Sequence, residues 1–501
     1  MSRTRKEPDW PASLKGSFLE LPTAGMRLAP QVLTLELMRE VAYSTKGGAT
    51  NASESKGVPL DPDSESGALS KAPRAVHAAV YALKGRAKQR KEQGSFFSPA
   101  YPEIAGFAWM RKNTDRVVRD FFLRGALAVG AGDDLTSISD VASETIRAIY
   151  GGEQGRPDVL ALCAAQAAPP EPMDPPMAAV HALKDLLLNP PDWGLLPGDV
   201  ISRRIARDWL ALCKLEGSLP RLAWVELVGT FLRTVIPLWL LAQMRVCVII
   251  RDFVRDALSG MDVSVEDVRE RIKARHEGLL VPSTTLTDRI DEAVIEYMRA
   301  RIELKVALSR MQEILPTGAC GRRLSVEPGR GMLGLGELSG YLRQIQNRDG
   351  FWREVILSAE SYPAWEKPLK EGQGKNIEEF LRVMRNDHVG GGDDGYLLER
   401  GPTNRKLFRV FPAPRVLALY VLLSQAEKAR ACRFGGRLLL SDLEQTFKEM
   451  GIDFTLLGGV RAELLRTLAS AGILRGTPDA GEGAVLANPY ASALSSLWKR
   501  A

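Results

Sequence analysis

The segment 222–250 constrains this chain most, because it must be buried and yet is poorly suited to lipid. It is the most apolar stretch of the sequence, but Glu226, Arg233 and Arg245 interrupt it and Pro237 sits inside it. Its longest uncharged run falls well short of the roughly 18 apolar residues that a spanning helix needs. The stretch therefore predicts one or two helices at the centre of a protein core, with no membrane involved. Such a helix needs partners on every side. A chain of 501 residues, 45% hydrophobic and 26% charged, can supply them from about two to four domains.

Apolar spacing predicts helices on both sides of that segment. They fall over 28–41 (Leu33, Leu35, Leu37, Met38), 73–91 (Val76, Val80, Leu83), 103–128, 136–150, 177–188, 198–215 and 221–258. Ser264 and Asp267 have the spacing of a capping box, with Asp in place of the usual Glu or Gln. The longest helical signal, 283–315, follows Pro282. There Ile290, Val294, Tyr297, Leu304, Leu308, Met311 and Leu315 recur at spacings of four and three, and Arg301 breaks the stripe. This heptad-like seam suits a helix packed on its own chain, or alternatively an intermolecular coiled coil. Further helices are expected over 337–346 and 376–385. Two stretches punctuate the pattern: 44–72, rich in Gly, Ser, Asp and Lys, reads as a flexible linker, and 152–178 contains Pro169-Pro170, Pro172 and Pro175-Pro176. The expected organisation is an N-terminal helical region at 1–151, a central helical body at 177–385, and a third region at 395–501.

That third region opens with strand, turn and strand over 396–411. A helix then starts at Pro414, and a short apolar strand is expected at 438–440. Ser441 and Glu444 have capping-box spacing at the head of a second helix that carries Leu443, Phe447 and Met450 on one face and stops at Gly451. A third helix over 456–471 turns Val460, Leu464 and Leu468 inward and ends at Gly472. A hairpin follows, from Ile473-Leu474-Arg475 to 484–487. This is the order of a winged helix, and the agreement of so many local signals strengthens the assignment. The expected fold is mainly α: a multi-domain helical protein with a C-terminal winged-helix domain.

Charge admits nucleic acid without requiring it. The formal net charge is +6, and residues 411–501 hold 11 basic and 8 acidic side chains. In a DNA-binding winged helix the third helix enters the major groove and the hairpin touches the backbone. Arg461 and Arg466 are the outward candidates on that helix and Arg475 on the wing, with Glu463 among them. The basic run Lys84, Arg86, Lys88, Arg90 and Lys91 would add sequence-independent contact with phosphates. Arg203, Arg204 and Arg207, and Arg322, Arg323 and Arg330, form two further basic groups that read as phosphate contacts or as solvated faces. The competing reading makes the winged helix a docking module for protein.

No catalytic signature emerges. Gly329, Gly331 and Gly334 match G-x-G-x-x-G, but nothing around them supplies the βαβ unit that a dinucleotide site requires. There is no P-loop, and His77, His181, His276 and His388 lie far apart. Asp387, His388, Asp393 and Asp394 form the one local group able to take a metal. They would serve a less favoured alternative, a metal-dependent nuclease. Neither cofactor nor metal is expected. Five scattered cysteines and a start without an apolar run behind its charges fit a cytoplasmic protein with reduced thiols.

Several C-terminal motifs look familiar: 395–401 (Gly-Tyr-Leu-Leu-Glu-Arg-Gly), 408–412 (Phe-Arg-Val-Phe-Pro), the Leu-rich helix, Gly472-Ile473-Leu474 with Pro478-Asp479-Ala480-Gly481, and Asn488-Pro489-Tyr490. This closing region resembles helix-rich accessory subunits of bacterial anti-phage systems, the methylation-associated defence system foremost and phosphorothioation-dependent restriction second. The resemblance covers about a quarter of the chain and its motifs are structural. It implies a bacterial cytoplasmic protein that works beside enzymes encoded elsewhere, and it carries over no catalytic residue. The function expected is a non-enzymatic DNA-binding or scaffolding subunit of such a complex, with double-stranded DNA and protein partners. The alternative is an adaptor that docks partner enzymes and leaves DNA untouched.

Overall fold

A computed structural model of the chain describes residues 30–42, 101–102, 117–132, 138–151, 176–188, 200–276, 278–280, 282, 289–311, 323–325, 332–370, 373–385, 395–400, 408–431, 437–454, 458–475 and 484–490. The fold is mainly helical. In chain order come α1 (Pro30–Ala42), a π-helix (Val117–Leu127) running into α2 (Ala128–Gly132), α3 (Ile138–Tyr150), α4 (Pro176–Leu188), α5 (Val200–Leu215), α6 (Arg221–Leu258), α7 (Val265–His276) and α8 (Arg289–Met311). A parallel pair, β1 (Arg323–Ser325) and β2 (Met332–Gly334), precedes α9 (Leu335–Arg343), α10 (Arg348–Glu360), α11 (Pro363–Glu366) and α12 (Gln373–Leu381). The antiparallel pair β3 (Leu398–Arg400) and β4 (Phe408–Val410) leads into α13 (Pro414–Ala431), α14 (Leu440–Glu449), α15 (Gly458–Ser470), β5 (Leu474–Arg475) and β6 (Val485–Leu486).

The apolar segment forms most of α6, a 38-residue helix that the other elements surround. It is long and apolar enough to cross a membrane by composition, but 89% of its most apolar window is buried inside the protein. One face meets α8, and α1, α5, α7, α9, α13 and the π-helix take the others. The stripe Ile290, Val294, Tyr297, Leu304, Leu308 and Met311 is buried in the same core, so the heptad-like seam packs within its own chain. Side chains from α1 through β6 belong to that one continuous core. Its centre is aromatic. Trp209 stacks on Phe231 with centroids 5.9 Å apart, and Phe122 meets Trp209 edge-on at 5.1 Å. Each buried indole N–H is satisfied: Trp209 donates to Thr145, Trp239 to Ser202 and Trp224 to the Leu212 carbonyl, as buried polar groups require.

Several arginines in and around α6 share a task. The last carbonyls of a helix have no partner within it, and here guanidinium groups supply one. Arg221 donates to the carbonyls of Ala148 and Ile149 at the end of α3 while lying against the rings of Tyr101 and Trp224. Arg233, only 4% exposed, reaches the carbonyls of Val383 and Arg385 at the close of the 3-10 turn after α12. Arg245 donates to Leu279, 3.0 Å away, just beyond α7, and Arg147 to Cys213 at the end of α5. Two of the charges that interrupt the apolar run, Arg233 and Arg245, therefore tie neighbouring segments to α6. Pro237, which can donate no backbone hydrogen bond, sits fully within the helix.

The capping box at Ser264 forms as its spacing predicts, with the Asp267 carboxylate accepting from the Ser264 backbone N–H at 2.7 Å and the Ser264 hydroxyl accepting from Asp267. The one expected at Ser441 and Glu444 does not. The cap lies two residues earlier, at Leu439, and Asp442 accepts from the Leu439 backbone N–H at 2.8 Å. Glu444 lies on the buried side and is engaged elsewhere. The strand expected at 438–440 is reduced to a bridge between Leu439 and Val485. It still gives β6 a neighbour on each side: Leu440 N donates to the Ala484 carbonyl and Leu486 N to the Leu438 carbonyl, while β5 pairs along the opposite edge.

Candidate nucleic-acid interface

The C-terminal elements are fastened to the body before they offer any surface. On the α5 side, Arg204 is 1% exposed and donates to Asp208, Glu427 of α13 and Glu449 of α14, all within 2.9 Å. Arg207 reaches the same two glutamates at 2.9 Å each. This pair belongs to the basic group of Arg203, Arg204 and Arg207, so the phosphate reading of Arg204 and Arg207 is corrected: acidic side chains from two later helices occupy both. Burial alone would raise the Glu449 carboxyl, but the hydrogen bond and charge of Arg204, with help from Gln445 and Arg207, outweigh it and hold the group below its ordinary value. A second attachment is a backbone bridge from Leu280 to Ile452, with Leu280 N donating to the Gly451 carbonyl at 2.9 Å. Gly451 has φ of 80°, and a Cβ there would lie 2.7 Å from Leu279, so both conformation and close approach call for glycine.

Among the described residues of the C-terminal region the other acids are paired within the region or buried. Arg409 on β4 pairs across the hairpin with Glu399 and reaches Glu463 on α15 at 2.7 Å. Lys428 holds Asp442 at 2.6 Å. Arg461 donates through Nε and Nη2 to both oxygens of Glu444, at 2.6 and 3.0 Å. The bidentate grip takes Arg461 out of the outward set to which its helical position assigned it, and Glu463 is likewise spoken for. Asp453 is buried. Arg466 on α15 and Arg475 on β5 are exposed, as predicted, and make no ion pair among the described residues. Arg437 and Lys448, which the sequence did not single out, share both properties. From residue 395 onward, then, the exposed charged residues without an ion pair among the described residues are all cationic.

The remaining candidates separate cleanly. Lys84, Arg86, Lys88, Arg90 and Lys91 lie outside the described residues, as do Asp387, His388, Asp393, Asp394 and the linker 44–72. Among the described residues no group of His, Cys, Asp and Glu is placed to hold a metal ion. The G-x-G-x-x-G match ends in β2, and Gly334 is the N-cap of α9. Its parallel partner β1 is only three residues long, and the intervening 326–331 is too short for the crossover helix of a dinucleotide unit. Cys213 and Cys247 are buried free thiols; burial pushes both up, Cys247 to about 12, which suppresses the reactive thiolate.

No family model, curated protein or solved structure matches the chain.

Proposed function

We propose that residues 411–490 form a winged-helix module through which the chain contacts duplex DNA, as a non-enzymatic subunit of a larger assembly. The element order supports the fold: α13, the Leu439 bridge, α14, α15, then β5 and β6 with β6 in the middle. One observation carries the binding reading. The region pairs or buries its described acids and leaves Arg437, Lys448, Arg466 and Arg475 exposed, the electrostatic footprint of a phosphate-binding surface. The C-terminal resemblance suggests the setting, a bacterial cytoplasmic anti-phage complex whose chemistry is performed by other subunits.

Charge reversal tests this reading. R466E/R475E should abolish duplex binding in a mobility assay while the circular dichroism spectrum and melting temperature stay those of the wild type. Wild-type protein that binds no duplex at low salt would refute it. A second reading then takes over, docking of a partner protein. It is favoured by the outward side of α15, where Gly459, Ala462 and Ala469 are exposed and would allow close approach.

A further inference from the structure

Resting on the DNA-binding reading above, we infer that the C-terminal module recognises duplex DNA by its phosphate backbone and is indifferent to base sequence. Sequence is read by side chains that reach base edges, and phosphate contacts only position the protein. On α15 almost every group able to read a base is already engaged. Arg461 is clamped on Glu444 and Glu463 on Arg409. The Thr467 hydroxyl donates to the Glu463 carbonyl at 3.0 Å, and that of Ser470 to the Thr467 carbonyl at 2.9 Å. Val460, Leu464, Leu465 and Leu468 face the core. The rest of the described outward side is Gly459, Ala462, Arg466 and Ala469. One arginine among small residues cannot specify a site of several base pairs, because each bidentate contact discriminates at one pair.

The exposed set of side chains argues for duplex over single strands. Recognition of single strands depends on aromatic side chains that stack on bases. Among the described residues of the region, Phe408, Tyr420, Phe447 and Phe454 are buried in the core, and Tyr396, Phe411 and Tyr490 are partly buried. Arg437, Lys448, Arg466 and Arg475 remain as point charges. Four phosphate contacts would give a slope of about −3.6 in log affinity against log salt.

The experiment has two arms, both on the full chain. Selection from a pool of short random-sequence DNA duplexes should enrich no motif, with unrelated duplexes binding within about threefold of one another. In the second arm, R466A/R475A should flatten the salt slope by about 2, so that the wild-type advantage shrinks roughly tenfold between 50 and 200 mM salt. An enriched motif, or a preference of a hundredfold for one duplex, would overturn the inference and leave the DNA-binding reading standing. An unchanged slope in the double variant would overturn the assignment to these residues. Failure of every duplex to bind would remove both the inference and the reading beneath it.

Discussion

The arginines around α6 and the pair Arg466 and Arg475 are the same residue in opposite settings. Arg221, Arg233 and Arg245 are buried or half-buried and spend their donors on carbonyls at neighbouring helix ends. Arg204 and Arg207 spend theirs on carboxylates of two later helices. Arg466 and Arg475 are exposed, with no such partner among the described residues. A basic residue in a sequence is thus not yet a binding residue. What separates the two sets is whether the fold brings an acceptor to the guanidinium.

Breaking the first set should cost stability, and the largest loss is expected at Arg204. Arg204→Ala would leave Asp208 buried without its hydrogen-bonded cation and Glu427 and Glu449 with Arg207 alone. By the scale of broken buried pairs it should cost about 3–5 kcal/mol in chemical denaturation. Next comes Arg233→Met, which strands the Val383 and Arg385 carbonyls in the core and should cost about 2–3 kcal/mol. Arg245→Met, at a half-buried position, should cost about 1–2 kcal/mol. The Arg204 cluster also predicts a pH effect. Because Glu449 is held below its ordinary value, its contribution is fully present above the ordinary glutamate range and lost as pH falls through its folded value. Acid melting curves of wild type and Glu449→Gln should converge there; a gap that persists at low pH would contradict this. Smallest in stability is Arg466→Ala, expected within about 0.5 kcal/mol of wild type. A larger loss would mean that Arg466 belongs with the clamps.

Much of the helical framework was legible in the sequence. The bounds of α6 and the burial of the 290–311 stripe follow from periodicity, since apolar spacing records which face must leave water. The capping box at Ser264 was legible because it involves only adjacent residues. Charge was read less well, for a physical reason. Arg204 meets Glu427 and Glu449 across separations of 223 and 245 residues, and no local pattern encodes which helices will meet. The shift from Glu444 to Asp442 at the head of α14 has the same origin, because Glu444 is drawn inward to Arg461. In the candidate interface, the exposure of Arg466 and Arg475 is legible from their helical and hairpin positions, Arg461 turns to Glu444 instead, and Arg437 and Lys448 carry no signal beyond their charge. The helix α10 went unread, its apolar residues being divided between the core and the surface, where Leu357 is 62% exposed.

The most direct test places one arginine from each set side by side, measuring duplex affinity and melting temperature for Arg466→Glu and Arg245→Met on the full chain. The prediction is a crossed result: Arg466→Glu loses duplex affinity at an unchanged melting temperature, and Arg245→Met melts earlier with its affinity intact below the melt. Two variants that shift both quantities together, or an Arg466→Glu protein that binds duplex as the wild type does, would contradict the division between clamping and binding arginines.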